Sequence, residues 1–557
     1  MTDLGKYLDS ANVTERKLDI HDFDVIKLTK KSKYTKEIAE KAIENKIIPF
    51  PNFSSFDFEG NGGWEFNSEK YGDSYPLYIH SLRFVSELLT MFEETEEIIY
   101  LDKARYYIHS WIDYAVNNEG GAMVWYDHPT ANRIQVIINY LYLAKERHDV
   151  DTKLYGKLLR FHSLYLSDNK NYRRNNHGLM MDRSLMILGN ILNDQNIFNI
   201  GFYRSIDTFW YSYSYTGLHL ENSPEYHNMV TRMYLELQTY LKKNGKTYGT
   251  TIVSYLSRAA ILKNIFAKPN KLIPSIGDSG QGQVKVNKEY VNFIDYAAGL
   301  SIIQDKEIKM FLSFVCGYST TVHKHIDDLS FNLFFNGKDF FVDPGKFSYS
   351  KHPYRGYIKS FKGHSGIFIN DKNYKLSEEN RFTRNVTFIH HFENDNYMLI
   401  KGKNHSYEEA NLYRTIVYMK KERQFIILDE IKPSQEVKVL HNFNLHHEVK
   451  VERLNDFSHK LTNDSVSIVI RNHTENMIFE EVVGNKDKEP YIGLNSVVFN
   501  EVVETTQLKN NENLLTNQHT FTIYSISEDS EDIEIKLNSE SSVLHVLTND
   551  KNYYINV

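Results

Sequence analysis

Apolar residues recur at helical spacing through the first half of the chain. Three runs place them three or four residues apart: Leu82, Val85, Leu89 and Phe92; Ala104, Ile108, Trp111 and Ala115; and Ile134, Ile138 and Leu141. The third run predicts a helix that begins just after Pro129-Thr130, and further helices are predicted over 153–166, 179–192, 228–242 and 251–266. Many helices joined by short loops indicate a bundle, a solenoid or an α/α toroid.

The pattern changes near residue 267. The segment AKPNKLIPSIGDSGQGQ is rich in Pro, Gly and Ser, which is typical of a linker. After it the period becomes two, with Phe331, Leu333 and Phe335 on one side of a predicted strand, and Asn336-Gly337 is a strong hairpin signal. FIILDEI, SVSIVIR and HTFTIYSI continue the strand pattern. Helices followed by strands predict two domains of different class, 1–290 and 291–557, with the boundary between 267 and 297.

Composition and charge exclude several classes of protein. The chain has 557 residues, of which 41% are hydrophobic and 25% charged, a balance typical of a globular protein. This length is too great for one simple core. A net charge of -7 argues against a nucleic-acid partner. No apolar run approaches the roughly 18 residues of a membrane-spanning helix. The single Cys316 excludes an intramolecular disulfide and a Cys-rich metal site.

The first residues indicate a location. MTDLGKYLDSANVTERKLDIHDF carries early acidic side chains and lacks the apolar stretch of a secretion signal. We therefore expect a cytoplasmic protein, or a secreted one whose signal has been removed.

The sharpest chemical cluster is the segment TVHKHIDD, which contains His323 and His325. In an extended segment His323 and His325 would face one side together, and Asp343 and His364 follow downstream. Two imidazoles and a carboxylate are a suitable ligand set for Zn²⁺. The Asn-Gly turn pairs Phe335 with Lys338, so His325 must curl back past the start of the strand to reach Asp343. The alternative interpretation is two exposed or hydrogen-bonded histidines beside a strand.

Three further clusters lie in predicted loops of the helical half. Arg173, Arg174, Asn175, Asn176 and His177 supply hydrogen-bond donors suited to a carboxylate or sulfate, or form a solvated loop with a helix cap. Tyr226 lies among His219, Glu221, Glu225 and His227, as a phenolic acid or base or as a packed aromatic residue. Asp127 and His128, near Arg133, form a weaker cluster in which Asp127 is predicted to cap the helix.

In this order, the clusters resemble those of the heparinase II/III-type polysaccharide lyases. The resemblance runs from about Trp64 to beyond residue 440 and rests on NNHG, SPEYH, HKHIDDLSFNLFFNGKDFFVDPG and GHSG. The last of these departs from the family's more usual AHNTV. The resemblance implies an α+β multidomain fold, with an N-terminal incomplete α/α toroid followed by a C-terminal antiparallel β-sandwich. It also implies cleavage of a uronic-acid-containing polysaccharide or oligosaccharide by β-elimination, without an organic cofactor.

The resemblance also assigns residues to roles. The catalytic set would be Asn176, His177, Tyr226 and His323; the metal set, with a structural role, would be His325, Asp343 and His364; and the substrate-binding candidates are Arg133, Arg174, Glu221, His227 and Arg355. We expect zinc, with calcium as the alternative. Either Tyr226 or His323 could remove the C5 proton of the uronate.

Two other functions remain open at this point. A glycoside hydrolase on an α/α toroid would need two carboxylates about 5–9 Å apart, with Asp127, Asp182, Glu221 and Glu225 as candidates. A non-catalytic carbohydrate-binding protein is the other alternative. The sequence does not identify the uronate polymer or the oligomeric state.

Overall fold

The computed structural model describes residues 2–10, 18–118, 120–349, 351–475, 477–528, 533–548 and 551–557. The described chain forms two compact units. The helical unit takes its residues from Met1–Ser212, Met233–Val253 and Tyr349–Lys351, and the sheet unit from Tyr213–Arg232, Ser254–Ser348 and His352–Val557. No helix in the described ranges combines the length and apolar character that crossing a lipid bilayer requires.

The described residues form thirteen α-helices, and those predicted from periodicity begin and end close to the predicted positions. They are α1 (Asp3–Ser10), α2 (Thr35–Ile43), α3 (Ser74–His80), α4 (Arg83–Thr95), α5 (Ile98–Asn117), α6 (Asp127–Ala144), α7 (Thr152–Ser167), α8 (Asn176–Ile191), α9 (Gln195–Ser212), α10 (Pro224–Lys243), α11 (Thr250–Phe266), α12 (Pro353–Lys359) and α13 (Asn380–Thr383). Helix α6 starts before Pro129 rather than after it, because proline is tolerated in the first turn of a helix.

The helical unit has two layers. Helices α4, α6 and α8 pack on one another, while α5, α7 and α9 pack against their neighbours in sequence. Almost every residue of α6 and α8 is buried, as expected for helices that are covered on all sides. This alternation of inner and outer helices is the predicted incomplete α/α toroid.

Helix α9 is the main helix that periodicity does not reveal. Its buried positions include the small or polar residues Gly201, Ser205, Thr208 and Ser212. A Cβ at Gly201 would lie 2.5 Å from the backbone oxygen of Asp182, so the helices approach too closely for a larger residue. Because small and polar residues take these buried positions, the apolar repeat of α9 is weak although the helix packs tightly.

The sheet unit is an antiparallel β-sandwich. A short pair, β1 (Lys46–Ile47) and β2 (Phe56–Asp57), belongs to the helical unit; the others are β3 (Phe293–Asp295), β4 (Leu300–Asp305), β5 (Met310–Val315), β6 (Ser330–Phe335), β7 (Lys338–Phe341), β8 (Ile367–Ile369), β9 (Val386–Glu393), β10 (Tyr397–Asn404), β11 (Ala410–Met419), β12 (Gln424–Pro433), β13 (Val437–Asn444), β14 (Lys450–Asn455), β15 (Ser458–Asn463), β16 (Val466–Asn472), β17 (Glu480–Val483), β18 (Leu494–Asn495), β19 (Val503–Glu504), β20 (Thr506–Leu514), β21 (Thr520–Ser527), β22 (Glu534–Asn538), β23 (Val543–Leu547) and β24 (Asn552–Asn556).

The larger sheets share one core. The sheet β3-β4-β5-β6-β7 and the sheet β17-β20-β13-β8 contribute apolar residues to the same cluster as the eight-stranded sheet β14-β15-β16-β21-β12-β11-β10-β9. Strand β5 is buried on both faces: Leu312 and Phe314 enter that core, whereas Phe311 and Val315 pack with Leu262 and other residues of a second cluster. The meander β22-β23-β24 packs on apolar residues of the eight-stranded sheet.

The predicted hairpin is confirmed. Strands β6 and β7 pair Phe335 with Lys338, and both Asn336 and Gly337 have positive φ, as a two-residue hairpin turn of type I′ requires. The predicted division at 290 and 291 falls between α11 and β3. The compact units divide earlier, because Leu218, Leu220 and Phe266 share a core with residues of β4 and β5.

Candidate active site and metal centre

Tyr226 and His323 lie face to face in the sheet unit. Tyr226 is the third residue of α10, and its ring centroid lies 3.6 Å from that of His323, with the two planes 20° apart. His323 is 13% exposed at its side chain, and Tyr226 is partly buried. The structure thus brings together a phenol and an imidazole, which are both able to transfer a proton, and keeps both accessible.

One carboxylate holds His323 and His325. Nδ1 of His323 lies 3.0 Å from Oδ2 of Asp278, and Nε2 of His325 lies 2.9 Å from Oδ1 of the same residue. Arg355 donates from Nη2 to Oδ2 at 2.7 Å, while its Nη1 lies 2.6 Å from Oδ1. Asp278 therefore accepts from two imidazoles and a two-pronged guanidinium.

These contacts keep Asp278 ionised. Burial alone would raise the pKa of its carboxyl, but hydrogen bonds from His323 and His325, together with Arg355, hold that pKa well below its usual range. Burial also lowers the pKa of His325, although Asp278 opposes this effect. A neutral His325 that donates from Nε2 has a lone pair at Nδ1, which is then available to a ligand.

Contacts with backbone oxygens hold three loops of the sheet unit together around Asp278 and His323. Asn222 donates from its side chain to the carbonyl oxygens of Thr320 and Val322, at 2.8 and 2.9 Å. Gly277 has φ +53°, and a Cβ there would lie 2.4 Å from the Asn222 oxygen and 2.8 Å from the His323 oxygen. Only glycine fits so close an approach.

The expected extended conformation of the HKH segment is wrong. His323 has φ +58° and lies in a turn, so the two histidines do not share the face of a strand. They converge instead on the two oxygens of Asp278. Lys324, between them, is fully buried and forms ion pairs with Asp327 and Asp328, the latter at 3.1 Å. These ion pairs hold the segment in its turn.

His325, Asp343 and His364 form a buried group that could hold a metal ion. One ligand atom from each residue lies within 4.8 Å of the others. His325 curls back before β6, as the hairpin argument requires, and Asp343 follows β7. His364 belongs to the set although its segment departs from the family's usual sequence.

The hydrogen bonding of this group fits a metal. Nδ1 of His325 and Nε2 of His364 are buried and have no hydrogen-bond partner. Nδ1 of His364 lies 3.1 Å from Oδ2 of Asp343, without the geometry of a hydrogen bond. Burial would lower the pKa of His364, but the Asp343 carboxylate raises it. Buried polar atoms without partners are costly, and the pairing of two imidazoles with a carboxylate is typical of zinc.

Acidic residues surround the Tyr226–His323 pair. Oε2 of Glu221 lies 3.5 Å from Nε2 of His323, and Oε1 lies 3.9 Å from His219, whose pKa is lowered well below its usual value by burial. Glu225 accepts from Lys346 with both oxygens at 2.9 Å. Glu221, a substrate-binding candidate, therefore lies beside the candidate base.

A second candidate group lies in the helical unit. Asn175 caps α8 by accepting from the backbone N–H groups of His177 and Gly178, which places Asn176 and His177 in the first turn. Nδ1 of His177 lies 3.0 Å from Oδ1 of Asp127. Asp127 is the first residue of α6, so the prediction that it caps this helix is wrong. It orients the His177 ring instead.

Two of the substrate-binding candidates are fully buried. Arg133 is fully buried, donates to the carbonyl oxygen of His80 at 2.8 Å and stacks on Trp111 at 3.8 Å. His227 is also fully buried: it accepts from the His219 N–H and lies 2.9 Å from the Ala259 oxygen, and burial lowers its pKa to about 4. Both side chains belong to the core.

The other two candidates are accessible to different extents. Arg174 is about half exposed and forms an ion pair with Asp207 at 2.8 Å. Arg355 is 12% exposed, and its guanidinium is bound to Asp278 and to the Lys346 oxygen. Arg355 is thus part of the support of His323 rather than an open anion site.

Asp278 and Asn222 are the residues that sequence reasoning missed. Asp278 lies in GDSG, which was interpreted as linker because Gly, Pro and Ser surround it. The signal that could have found Asp278 is an acidic residue between glycines. Such a segment can turn tightly, and a tight turn brings the short aspartate side chain against two imidazoles.

Comparisons with known proteins identify the family of this chain. The sequence profile described as "Heparinase II/III N-terminus" matches residues 2–300, and "Heparinase II/III-like, C-terminal" matches residues 296–536. A comparison with curated proteins gives no match.

Solved structures show a similar fold at low sequence identity. A structure of heparinase III is 16% identical, with a TM-score of 0.80 over 99% of this chain and 94% of the other. The heparan sulfate lyase HepC from Pedobacter heparinus is 15% identical, with a TM-score of 0.67 over 100% and 93%. Chondroitin AC lyase of Streptomyces coelicolor A3 is 9% identical, with a TM-score of 0.53 over 99% and 88%. Because the two profiles together span almost the whole sequence, the chain belongs to the heparinase II/III family of polysaccharide lyases.

Proposed function

We propose that this protein cleaves a uronic-acid-containing polysaccharide by β-elimination, with Tyr226 and His323 as the proton-transferring pair. The observation that carries the proposal is the stacked arrangement of these two rings, in which Asp278 fixes the imidazole. The matched family and the lyases among the similar structures support the reaction class.

The reaction needs one proton to leave and one to arrive. A base takes the proton on C5 of the uronate, the electron pair forms a C4–C5 double bond, the C4–O bond breaks, and an acid protonates the leaving oxygen. Water is not consumed. With Nδ1 of His323 donating to Asp278, Nε2 has a lone pair that can accept the C5 proton, while the Tyr226 hydroxyl can protonate the leaving oxygen. Where the C5 proton and the leaving oxygen lie on one face of the sugar ring, Tyr226 can serve as both base and acid.

The substrate carboxylate must be neutralised before C5 becomes acidic. Hydrogen-bond donors that stabilise the developing charge lower this barrier. As the family resemblance implies, we assign Asn176 and His177 to this role. The orientation of His177 by Asp127 and the position of both residues in the first turn of α8 are consistent with binding an anion.

His325, Asp343 and His364 would hold a divalent metal, for which we propose zinc. When bound, the ion supplies a positive charge to which all three buried side chains bind. No proton-transfer step passes through it. The buried imidazole nitrogens without partners support this assignment.

A hydrolase is not favoured by the carboxylates that it would need. Asp127 contacts His177, Asp182 accepts from Tyr172, and Glu225 is bound by Lys346. Glu221 contacts imidazoles.

The test is a panel of uronate polymers, both sulfated and unsulfated, incubated with the wild type and Tyr226→Phe. We expect near-ultraviolet absorbance from an unsaturated uronate with the wild type on at least one polymer. The Tyr226→Phe variant should lose about 10²–10⁴ in kcat with unchanged melting temperature, since only a hydroxyl is removed. Cleavage without the unsaturated product would indicate a hydrolase, and binding without cleavage a carbohydrate-binding protein.

A further inference from the structure

We propose that Asp278 is a positioning residue that sets two histidines at once: His323 for proton transfer and His325 for metal binding. The first half of this inference rests on the proposed reaction and the second half on the proposed metal assignment. Its basis is a single buried carboxylate, 2% exposed, whose two oxygens contact one imidazole each.

The two contacts select different ring nitrogens. His323 meets Asp278 through Nδ1, so in the neutral ring the proton is held there and Nε2 has the lone pair. His325 meets Asp278 through Nε2, so Nδ1 has the lone pair, and this is the nitrogen that is buried without a partner in the metal group. One acceptor thereby fixes opposite tautomers in two residues that are two positions apart.

Other contacts hold the carboxylate in place. Arg355 binds both oxygens, and the Asp278 N–H donates to the His323 carbonyl oxygen at 3.3 Å. Gly277 allows this turn to approach Asn222 and His323 closely. A shift of the carboxylate would therefore disturb both rings together.

The decisive variant is Asp278→Asn. An amide has one acceptor oxygen and a donor nitrogen, so it cannot accept from both imidazoles and the guanidinium. We expect Zn²⁺ affinity, measured by competition with a chelating indicator, to fall about 10–100-fold. We expect kcat on a cleaved polymer to fall about 10²-fold or more with KM within about threefold.

A readout without substrate tests the His323 half. In ¹⁵N spectra of histidine-labelled protein, the signals lost in His323→Gln identify this ring. The wild type should show His323 protonated at Nδ1, and Asp278→Asn should show a proton at Nε2. This measurement decides the proposal even if no uronate polymer is cleaved, an outcome that would contradict the proposed function alone.

The matched control is Asp429→Asn, another buried aspartate of the sheet unit that accepts from an arginine and a histidine. It should lower the melting temperature while Zn²⁺ affinity and kcat per folded molecule stay within about threefold of the wild type. If Asp278→Asn does not fold, Asp278→Glu, which displaces the carboxylate, should show the same two losses. Retention of Zn²⁺ affinity or of the His323 tautomer overturns the claim that one carboxylate sets both rings.

Discussion

The sheet unit contains two aspartates with nearly the same partners in very different surroundings. Asp278 accepts from Arg355, His323 and His325, while Asp429 accepts from Arg414 at 2.6 and 2.7 Å and from His441 at 2.9 Å. Asp429, Arg414 and His441 are all fully buried. The Asp278 group contains His323, whose ring is partly exposed and stacks on Tyr226.

The difference lies in what each histidine faces beyond its aspartate. His441 packs beside Tyr524 in the sandwich core, with Nε2 3.8 Å from Glu512. His323 faces an accessible phenol, and His325 faces a buried group of potential metal ligands. The same pairing of charges therefore lies in a core in one place and holds the candidate catalytic and metal-binding rings in the other. The exposure of His323 and the potential metal ligands beside His325 distinguish the two uses.

The largest expected effect on stability follows from Asp429→Ala. This change leaves Arg414 and His441 buried without their shared anion, which typically costs about 3–5 kcal/mol. We expect the free energy of unfolding, from urea denaturation, to fall by about this amount while kcat per folded molecule is retained. Arg414 also donates to the Leu329 and Ser365 oxygens, so a large loss of kcat would mean that the core group also positions the site.

Removal of metal should have the next largest effect, and only on the Asp278 side of the comparison. An ion present at about 100 times its dissociation constant stabilises the folded state by about 2.7 kcal/mol. A chelator should therefore lower the melting temperature of the wild type and of Asp429→Asn by similar amounts. The melting temperature of His364→Ala, which lacks one metal ligand, should not change when the chelator is added. An unchanged wild-type melting temperature, with no metal found by elemental analysis, would contradict the metal assignment.

The sequence predicts elements and residue types better than the conformation of loops. The apolar repeats locate α4–α8, and the Asn-Gly turn fixes the register of β6 and β7. The conformation at His323, with its positive φ, was not predictable, because the ring binds Asp278, which lies 45 positions away in the sequence. The burial of Arg133 was not predictable for a similar reason: its guanidinium stacks on Trp111, and the local sequence shows no sign of this contact.

The smallest expected effect is a pH dependence of stability that separates two buried histidines by its sign. Burial would lower the pKa of His441, but Asp429 and Glu512 raise it above the ordinary value of about 6.5. Its contribution to stability is therefore fully present below about pH 6.5 and is lost as pH rises through the folded-state pKa. His227 is the opposite case, because burial lowers its pKa to about 4.

His441→Gln and His227→Gln test this contrast by urea denaturation across pH. One proton changes the unfolding free energy by at most about 1.4 kcal/mol per pH unit. The stability that His441→Gln loses relative to the wild type should be larger below pH 6.5 than well above it. Between its folded pKa of about 4 and the unfolded value of about 6.5, the wild type must keep His227 neutral while the unfolded chain binds the proton. His227→Gln removes that cost, so its stability should fall less steeply than that of the wild type as pH falls through this window. If the unfolding free energy of both variants changes with pH at the same slope, Asp429 does not hold His441 in its charged form. Asp429, Arg414 and His441 are then not a charged counterpart of the Asp278 group.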